Sequence, residues 1–127
     1  VVSCDGLVIA TPEFNYGVPG VLKNAIDWAS RPAYKSPLAH KPCAIFSASM
    51  SPVGGARSQA HLRQILSGTV TSVMPYPDVL LGSAKEKFDD KGHLIHEPTR
   101  EHLAKFAAAF VVFATEKLNR NQVQPRS

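Results

Sequence analysis

The loop at residues 11–20 carries the most unusual chemistry of the sequence. It reads Thr-Pro-Glu-Phe-Asn-Tyr-Gly-Val-Pro-Gly and follows an apolar run. Prolines stiffen the backbone, and Gly17 and Gly20 remove side chains where another group must come close. Such a backbone can direct several N–H groups at a flat polar ligand, with Asn15 as a further donor and acceptor and Phe14 or Tyr16 stacking on a ring. A well-ordered connector between a strand and a helix explains these residue types equally well.

A second loop, residues 47–57, reads Ser-Ala-Ser-Met-Ser-Pro-Val-Gly-Gly-Ala-Arg and follows the next apolar run. Small residues between a strand and a helix N-terminus let a ligand touch the main chain, and the helix dipole favours anions there. The spacing matches neither the phosphate-binding P-loop, which needs Gly-Lys-Ser/Thr, nor the Gly-x-Gly-x-x-Gly dinucleotide motif. Alone, this loop does not identify a ligand.

Apolar runs alternate with segments of helical periodicity, and this alternation predicts the elements that position both loops. We expect strands at residues 6–11, 43–47 and 70–74, an extension of the third strand at 79–81, and helices at 18–30, 56–66 and 98–118. Residues 85–92 are expected to form a polar turn. Strands that alternate with long helices predict an α/β fold with a parallel sheet. Ligands bind at the carboxyl ends of such strands, where both loops begin.

Two of these elements allow more detailed expectations. The first apolar run is continuous, which is typical of a strand covered by helices on both faces. Pro19 suits the first turn of the first helix, where its missing N–H has no partner to lose. The buried face of that helix is expected to contain Val18, Leu22, Ala25, Ile26 and Ala29.

Composition excludes several classes of protein. The chain has 127 residues, 44 % of them hydrophobic, and a formal charge of +4, which predicts one globular domain. The positive charge forms no basic stripe interleaved with aromatic residues, which argues against nucleic-acid binding. The longest apolar run, residues 106–114, is much shorter than the roughly 20 residues of a membrane span. Cys4 and Cys43 form no metal or redox motif, so we expect buried free thiols and a cytoplasmic location.

Histidines and carboxylates near the last helix form no convincing metal motif. A zinc site needs four ligands, or three and a water, and no cysteine lies near His93, His96 and His102. We therefore interpret this region, which includes Glu97 and Glu101, as a solvated turn and helix start. Residues 89–92, Asp-Asp-Lys-Gly, lack the alternating oxygens of a calcium loop and are interpreted as a plain turn. No metal is expected.

Taken together and in this order, the two loops resemble a known family. The run TPEFNYGVPGVLKNAIDW is followed by KP, an apolar strand, SASM and GGARSQAHLRQIL. This arrangement strongly resembles the NADPH-dependent FMN reductases, the flavodoxin-like group that includes quinone, azo-dye and chromate reductases. The resemblance continues through FDDKGHL at residues 88–94 and into the last helix, so it covers nearly the whole chain.

The resemblance implies a flavodoxin-like open parallel sheet with helices on both faces. Residues 1–118 would supply the third, fourth and fifth strands of that fold, each with its helix, and residues 119–127 a polar tail. In this alignment nothing matches the family's first strand and the Ser/Arg/Asn-rich loop that holds the FMN phosphate. We therefore expect either a fragment of a longer protein or a gap that another chain fills.

The resemblance also implies FMN as cofactor and NADPH or NADH as hydride donor. Hydride would pass to the flavin, and electrons would then pass to a quinone, azo or metal-oxyanion acceptor. The cofactor carries this chemistry, so no side chain is expected to act as a catalytic acid or base. The family's cofactor contacts map onto Pro12, Glu13, Phe14, Asn15, Ser47, Ala48, Ser49 and Gly54. A homodimer or homotetramer is implied, with Tyr16 and Arg57 as contacts between subunits, although a solvated role explains each equally well.

Departures from the family pattern leave alternatives open. Phe14 replaces the usual Tyr and loses one hydroxyl. Ser51 stands where relatives commonly carry Gly, which costs about 1 kcal/mol if the backbone there is left-handed. The missing phosphate loop keeps open a non-catalytic subunit or fragment that packs against partners without flavin. A flavodoxin-type electron carrier is a third hypothesis, against which the match at residues 22–28, LKNAIDW, argues.

Overall fold

The structure, a computed structural model, describes residues 1–123. Its elements are, in chain order, β1 (Leu7–Thr11), α1 (Gly20–Ala29), β2 (Pro42–Ala48), α2 (Ala56–Gly68), β3 (Ser72–Val73), β4 (Leu80–Leu81) and α3 (Glu97–Val123). A single 3-10 turn, Ala84–Lys87, lies between β4 and α3. Each predicted strand and helix is present, so the predicted α/β alternation is confirmed.

All strand pairs of the sheet are parallel, with β2 at the centre. β1 pairs with the length of β2, from Leu7 opposite Cys43 to Thr11 opposite Ser47. On its other side β2 pairs with β3 at its beginning and with β4 at its end. β3 and β4 are thus two halves of one interrupted strand, as predicted, because Pro75 and Pro77 between them have no N–H to donate to a ladder.

Helices cover both faces of β2, which confirms the flavodoxin-like layering. Alternate strand residues point to opposite faces. Cys43 and Ile45 pack with Ile26 of α1 and with Leu62 and Leu66 of α2. The other face packs against α3 through a cluster that contains Ala44, Met74, Val79 and Phe106.

The expectation that β1 is buried on both faces was wrong. Val8 is 51 % exposed and Ala10 is exposed, while Leu7 and Ile9 are half-buried. Within residues 1–123, β1 has a strand partner on one side only, and the apolar side chains of α3 pack mainly on β2. A continuous apolar run therefore indicated a strand correctly but did not show how many of its faces are covered.

The helices differ from the predicted ones in some of their ends and in one residue of the buried face of α1. Pro19 immediately precedes α1, with φ −58° and ψ 143°, rather than lying in its first turn. Ala25 is exposed and does not belong to the buried face. α3 continues to Val123, so residues 119–123 of the expected tail are helical, and residues 124–127 lie outside the described part of the chain. No helix within residues 1–123 is both long and apolar enough to cross a membrane.

The two cysteines have different environments. Both are free, Cys43 is fully buried, and Cys4 is half-buried rather than buried as expected. Burial raises the pKa of the Cys43 thiol from its ordinary value of 9.0 to about 12, against a smaller opposite effect of Arg63.

This pKa gives Cys43 a testable signature. Above about pH 9 the unfolded chain loses the Cys43 proton while the folded chain keeps it, so the free energy of unfolding falls as pH rises towards 12. We expect Cys43→Ala to remove this part of the pH dependence, measured by urea denaturation across that range. A thiol reagent at neutral pH should label Cys4 well before Cys43. Equal labelling rates in the native protein would contradict the burial of Cys43.

Candidate functional site

Both unusual loops leave the sheet side by side. Thr11 and Ser47 are direct partners at the carboxyl ends of β1 and β2. Neighbouring strands lie about 4.8 Å apart, so Pro12, which follows β1, and Ala48, which ends β2, lie at adjacent positions. Both loops thus start at the carboxyl edge of the sheet, the edge at which ligands of parallel sheets bind.

The first loop forms a tight hairpin at residues 14–17. The N–H of Phe14 donates to the carbonyl of Gly17 at 3.0 Å, and the N–H of Gly17 donates to the carbonyl of Phe14 at 3.0 Å. Asn15 and Tyr16 both have positive φ, 50° and 66°. These are the features of a two-residue type I′ turn, which Asn tolerates well. Tyr16 is strained there by about 1 kcal/mol, so contacts outside the turn must hold it.

The hairpin has hydrogen-bond donors without an acceptor in the described part of the chain. Pro12, Phe14 and Asn15 are exposed, Phe14 by 62 %. Within residues 1–123, the backbone N–H groups of Glu13 and Asn15 donate to no protein acceptor, and the Asn15 side chain is also unpaired. Two backbone donors, an amide side chain and an aromatic ring are thus available for a flat polar ligand.

Three side chains, those of Glu13, Arg57 and His61, fasten the hairpin to α2. Glu13 Oε2 accepts hydrogen bonds from the backbone N–H groups of Arg57 at 3.1 Å and Ser58 at 3.3 Å. The Arg57 guanidinium lies 4.2 Å from the centroid of the Tyr16 ring. The N–H of Val18 donates to Nδ1 of His61 at 3.2 Å. The N-terminus of α2, which the sequence indicated as favourable for anions, is therefore already occupied by a carboxylate of the protein.

In the second loop, Ser47 belongs to the framework. Its side chain is buried, and its Oγ donates to the carbonyl of Gly54 at 2.5 Å. Gln59 Nε2 donates to Ser47 Oγ at 2.9 Å and to the carbonyl of Val79 at 2.7 Å. One buried amide thus joins α2 and β2 to the segment before β4. Gln59 was not identified from the sequence. Its position could have indicated a buried role, because it lies three residues before the core residue Leu62 on the same helix face.

Glycines allow this loop to pack closely. Gly54 and Gly55 are left-handed, with φ 65° and 83°. A Cβ on Gly55 would lie 2.8 Å from Ser47 Cβ, and one on Gly54 would lie 2.8 Å from the carbonyl carbon of Leu80. Ser51 is not among the residues with positive φ, so the cost considered for a serine at that position does not arise.

Residues 48–50 are an accessible part of the second loop, which is also exposed at residues 51–53. Ala48 and Met50 are exposed, and Ser49 is half-buried. Ser49 N–H donates to the carbonyl of Leu81 at 2.9 Å, whereas the Met50 N–H donates to no acceptor within residues 1–123. The structure thus divides the eight residues that the resemblance indicates. Pro12, Phe14, Asn15, Ala48 and Ser49 are accessible, whereas Glu13, Ser47 and Gly54 hold the loops in place.

The molecule has several cavities that lie away from these two loops. Two of them, of about 440 and 450 Å³, lie beside His40 at the amino ends of the strands. A third, of about 310 Å³, lies between the C-terminal ends of α1 and α2. At the carboxyl end of the sheet, the two loops expose Phe14, Asn15 and Met50.

The three histidines near α3 have separate partners. His93 Nδ1 lies 2.9 Å from Asp89 Oδ2, and His96 Nδ1 lies 2.7 Å from Thr99 Oγ1. His102 Nε2 lies 2.6 Å from the carbonyl of Asp78. In the part of the chain that the structure describes, no group of three His, Cys, Asp or Glu side chains could hold a metal ion. Asp89 Oδ1 accepts from the N–H groups of Lys91 and His93, the geometry of the predicted turn.

Comparisons with known proteins agree with this geometry. The sequence pattern of the NADPH-dependent FMN reductase family matches residues 1–86. A quinone reductase of Escherichia coli K12 is 49 % identical over 110 residues, which is 86 % of this chain and 58 % of that protein. An NAD(P)H-dependent FMN reductase of Pseudomonas aeruginosa is 48 % identical over 99 residues, 78 % of this chain and 53 % of that protein.

A solved structure gives the same result at the level of the fold. The flavoenzyme FerB, an NAD(P)H:acceptor oxidoreductase of Paracoccus denitrificans, superposes with a TM-score of 0.81 at 33 % identity. The match covers 91 % of this chain and 63 % of FerB. The chain thus spans between half and two thirds of the length of these relatives. It belongs to the NADPH-dependent FMN reductase family.

Proposed function

We propose that the protein is an FMN-dependent NAD(P)H oxidoreductase. It passes a hydride from NADPH or NADH to FMN, and electrons then pass to a small-molecule acceptor: a quinone, an azo compound or a metal oxyanion. The observation that carries this proposal is a set of hairpin donors that find no acceptor within residues 1–123. They lie beside residues 48–50, at the carboxyl ends of two adjacent parallel strands. Family membership supports the same assignment.

The available residues fit the ring system of a flavin. This ring is flat, and its polar edge carries carbonyl oxygens and ring nitrogens that accept hydrogen bonds. The N–H groups of Glu13 and Asn15 suit these acceptors, and the Phe14 ring offers an apolar surface. Pro12, Asn15, Ala48 and Ser49 would line the ring. When bound, FMN supplies the hydride and electron chemistry, and the chain's residues bind and orient the cofactor.

The same geometry limits what these loops would hold. Helix N-termini commonly bind phosphates, but Glu13 already accepts the N–H groups at the beginning of α2. A second negative group there would be repelled by the carboxylate. In this proposal the two loops bind the flavin ring, and the FMN phosphate is held by groups other than the N-terminus of α2.

We also propose that the protein is a cytoplasmic homodimer or homotetramer. Two free cysteines without a disulfide support a reducing compartment. Tyr16 is 71 % exposed at the tip of the hairpin, where it is stacked with Arg57. Exposed Tyr and Arg side chains are enriched in interfaces, which supports Tyr16 and Arg57 as contacts between subunits.

Purified protein supplied with FMN tests the proposal directly. We expect the protein to retain a yellow flavin after gel filtration and to oxidise NADPH when a benzoquinone is present. An azo dye and chromate, offered in parallel, would define the acceptor class. Protein that stays colourless and leaves NADPH unchanged with every acceptor would contradict the assignment.

A further inference from the structure

We propose that Glu13 is a positioning residue that fixes the hairpin on α2 and thereby sets the donors for the flavin ring. The hairpin's attachment follows from contacts within the chain. Only the consequence for flavin rests on the proposed function. In this role the Glu13 side chain binds the helix, while its backbone N–H remains available to a ligand.

The beginning of α2 lacks any cap of its own. The first N–H groups of a helix have no partner within the helix. Gly55 at the N-cap has no side chain to offer, and the first turn of α2 contains no acidic residue. The acceptor comes instead from Glu13, 44 positions earlier in the sequence. One of its oxygens accepts from two successive N–H groups.

Burial and charge both favour this contact. The Glu13 side chain is only 13 % exposed. Its second oxygen accepts a longer hydrogen bond from Arg57 Nη1, at 3.4 Å. Hydrogen bonds to a charged acceptor are about twice as strong as neutral ones, and a carboxylate at a helix N-terminus is also stabilised by the helix dipole. The Glu13 carboxylate is thus stabilised both by these hydrogen bonds and by the helix dipole.

Arg57 connects Glu13 to the tip of the hairpin. The same guanidinium that contacts Glu13 stacks on the ring of Tyr16, the residue held in a left-handed conformation. His61, one turn further along α2, accepts from Val18 just after the hairpin. The hairpin is therefore held at both ends and at its tip by residues 57–61. Without the Glu13 carboxylate, two helix N–H groups lose their acceptor and Arg57 loses its anion.

Amide hydrogen exchange of the flavin-free protein tests the attachment. We expect Glu13→Gln to speed exchange of the Arg57 and Ser58 N–H groups about tenfold, and Glu13→Ala to speed it more. The hairpin N–H groups of Phe14 and Gly17 should follow. Glu97→Gln is the matched control, since Glu97 begins α3, pairs with Arg100 at 3.8 Å and is 69 % exposed. It should change none of these rates. Unchanged exchange at Arg57 and Ser58 in both Glu13 variants would overturn the proposal.

Binding of lumiflavin, the ring system without a phosphate, tests the consequence for the site. We expect its Kd to rise about tenfold in Glu13→Gln, in step with the exchange rates, and to stay unchanged in Glu97→Gln. Faster exchange with an unchanged Kd would refute a positioning role towards flavin. If the parent protein binds no flavin, the proposed function fails, and the exchange rates still decide whether Glu13 holds the hairpin.

Discussion

Replacing Gly82 by alanine is expected to destabilise the protein by about 3 kcal/mol or more. A Cβ at Gly82 would lie 2.2 Å from the carbonyl oxygen of Pro52 and 2.8 Å from its carbonyl carbon. Both are backbone atoms, so no side-chain rotation relieves the overlap. The loop that contains Pro52 would have to move away from β4, and residues 48–50 would move with it. Urea denaturation measures the stability, and lumiflavin titration measures the effect on the site.

Gly68→Ala is the matched control for this substitution. Gly68 is the last residue of α2, and a Cβ there would meet nothing within 4 Å. We expect it to leave stability unchanged or to raise it by about 0.5 kcal/mol, because alanine loses less backbone freedom on folding. If the two variants were equally stable and bound lumiflavin equally well, the close approach of the second loop to β4 would be wrong.

Leu62→Ala is expected to cost about 2–5 kcal/mol, since it leaves a cavity under α2. Leu62 is fully buried in the cluster that joins α2 to Cys43 and Ile45 of β2. The same helix carries the residues that hold the hairpin, so loosening α2 should also raise amide exchange at Phe14 and Gly17. Chemical denaturation and hydrogen exchange measure the two effects.

The control for this second prediction is Val21→Ala on α1. Val21 is 81 % exposed, and its truncation should change stability by less than about 0.5 kcal/mol. A Leu62 variant as stable as this control would show that α2 does not depend on this core for its position.

The local pattern of apolar and polar residues was sufficient to predict the strands and helices that position the site. The period of apolar residues indicated each strand and helix, and their alternation predicted the parallel sheet. Ligands bind at the carboxyl ends of parallel strands, so the sequence also indicated the segments after Thr11 and Ser47 as candidate site residues. Prolines and glycines indicated an ordered first loop, which is a type I′ hairpin.

Partners distant in sequence were not predictable in the same way. Nothing in the sequence near Glu13 indicates that its side chain accepts hydrogen bonds from the N–H groups of Arg57 and Ser58. The exposure of β1 depends on what covers it, which an apolar run does not encode. The burial of Ser47, in contrast, could have been predicted from the sequence. Strand alternation places it on the same face as Cys43 and Ile45, towards α2 and away from solvent.

The end of α3 illustrates how composition can mislead. The polar residues after Leu118 suggested a frayed tail, yet the helix continues to Val123. Polar residues such as Asn119 and Arg120 lower the apolar signal without stopping a helix. Helix-stopping residues are mainly Gly and Pro, and the first of these after Leu118 is Pro125.

The central claim is that the main chain of residues 12–15 and 48–50 faces a flavin ring. Titration of ¹⁵N-labelled protein with lumiflavin tests it most directly, because the backbone N–H groups of Glu13, Asn15 and Met50 have no acceptor among residues 1–123. We predict that these three amide signals shift most, while those of Lys91 and His93 in the distant turn stay in place. Shifts centred on His40 and the amino ends of the strands, or no shift at all, would contradict the claim.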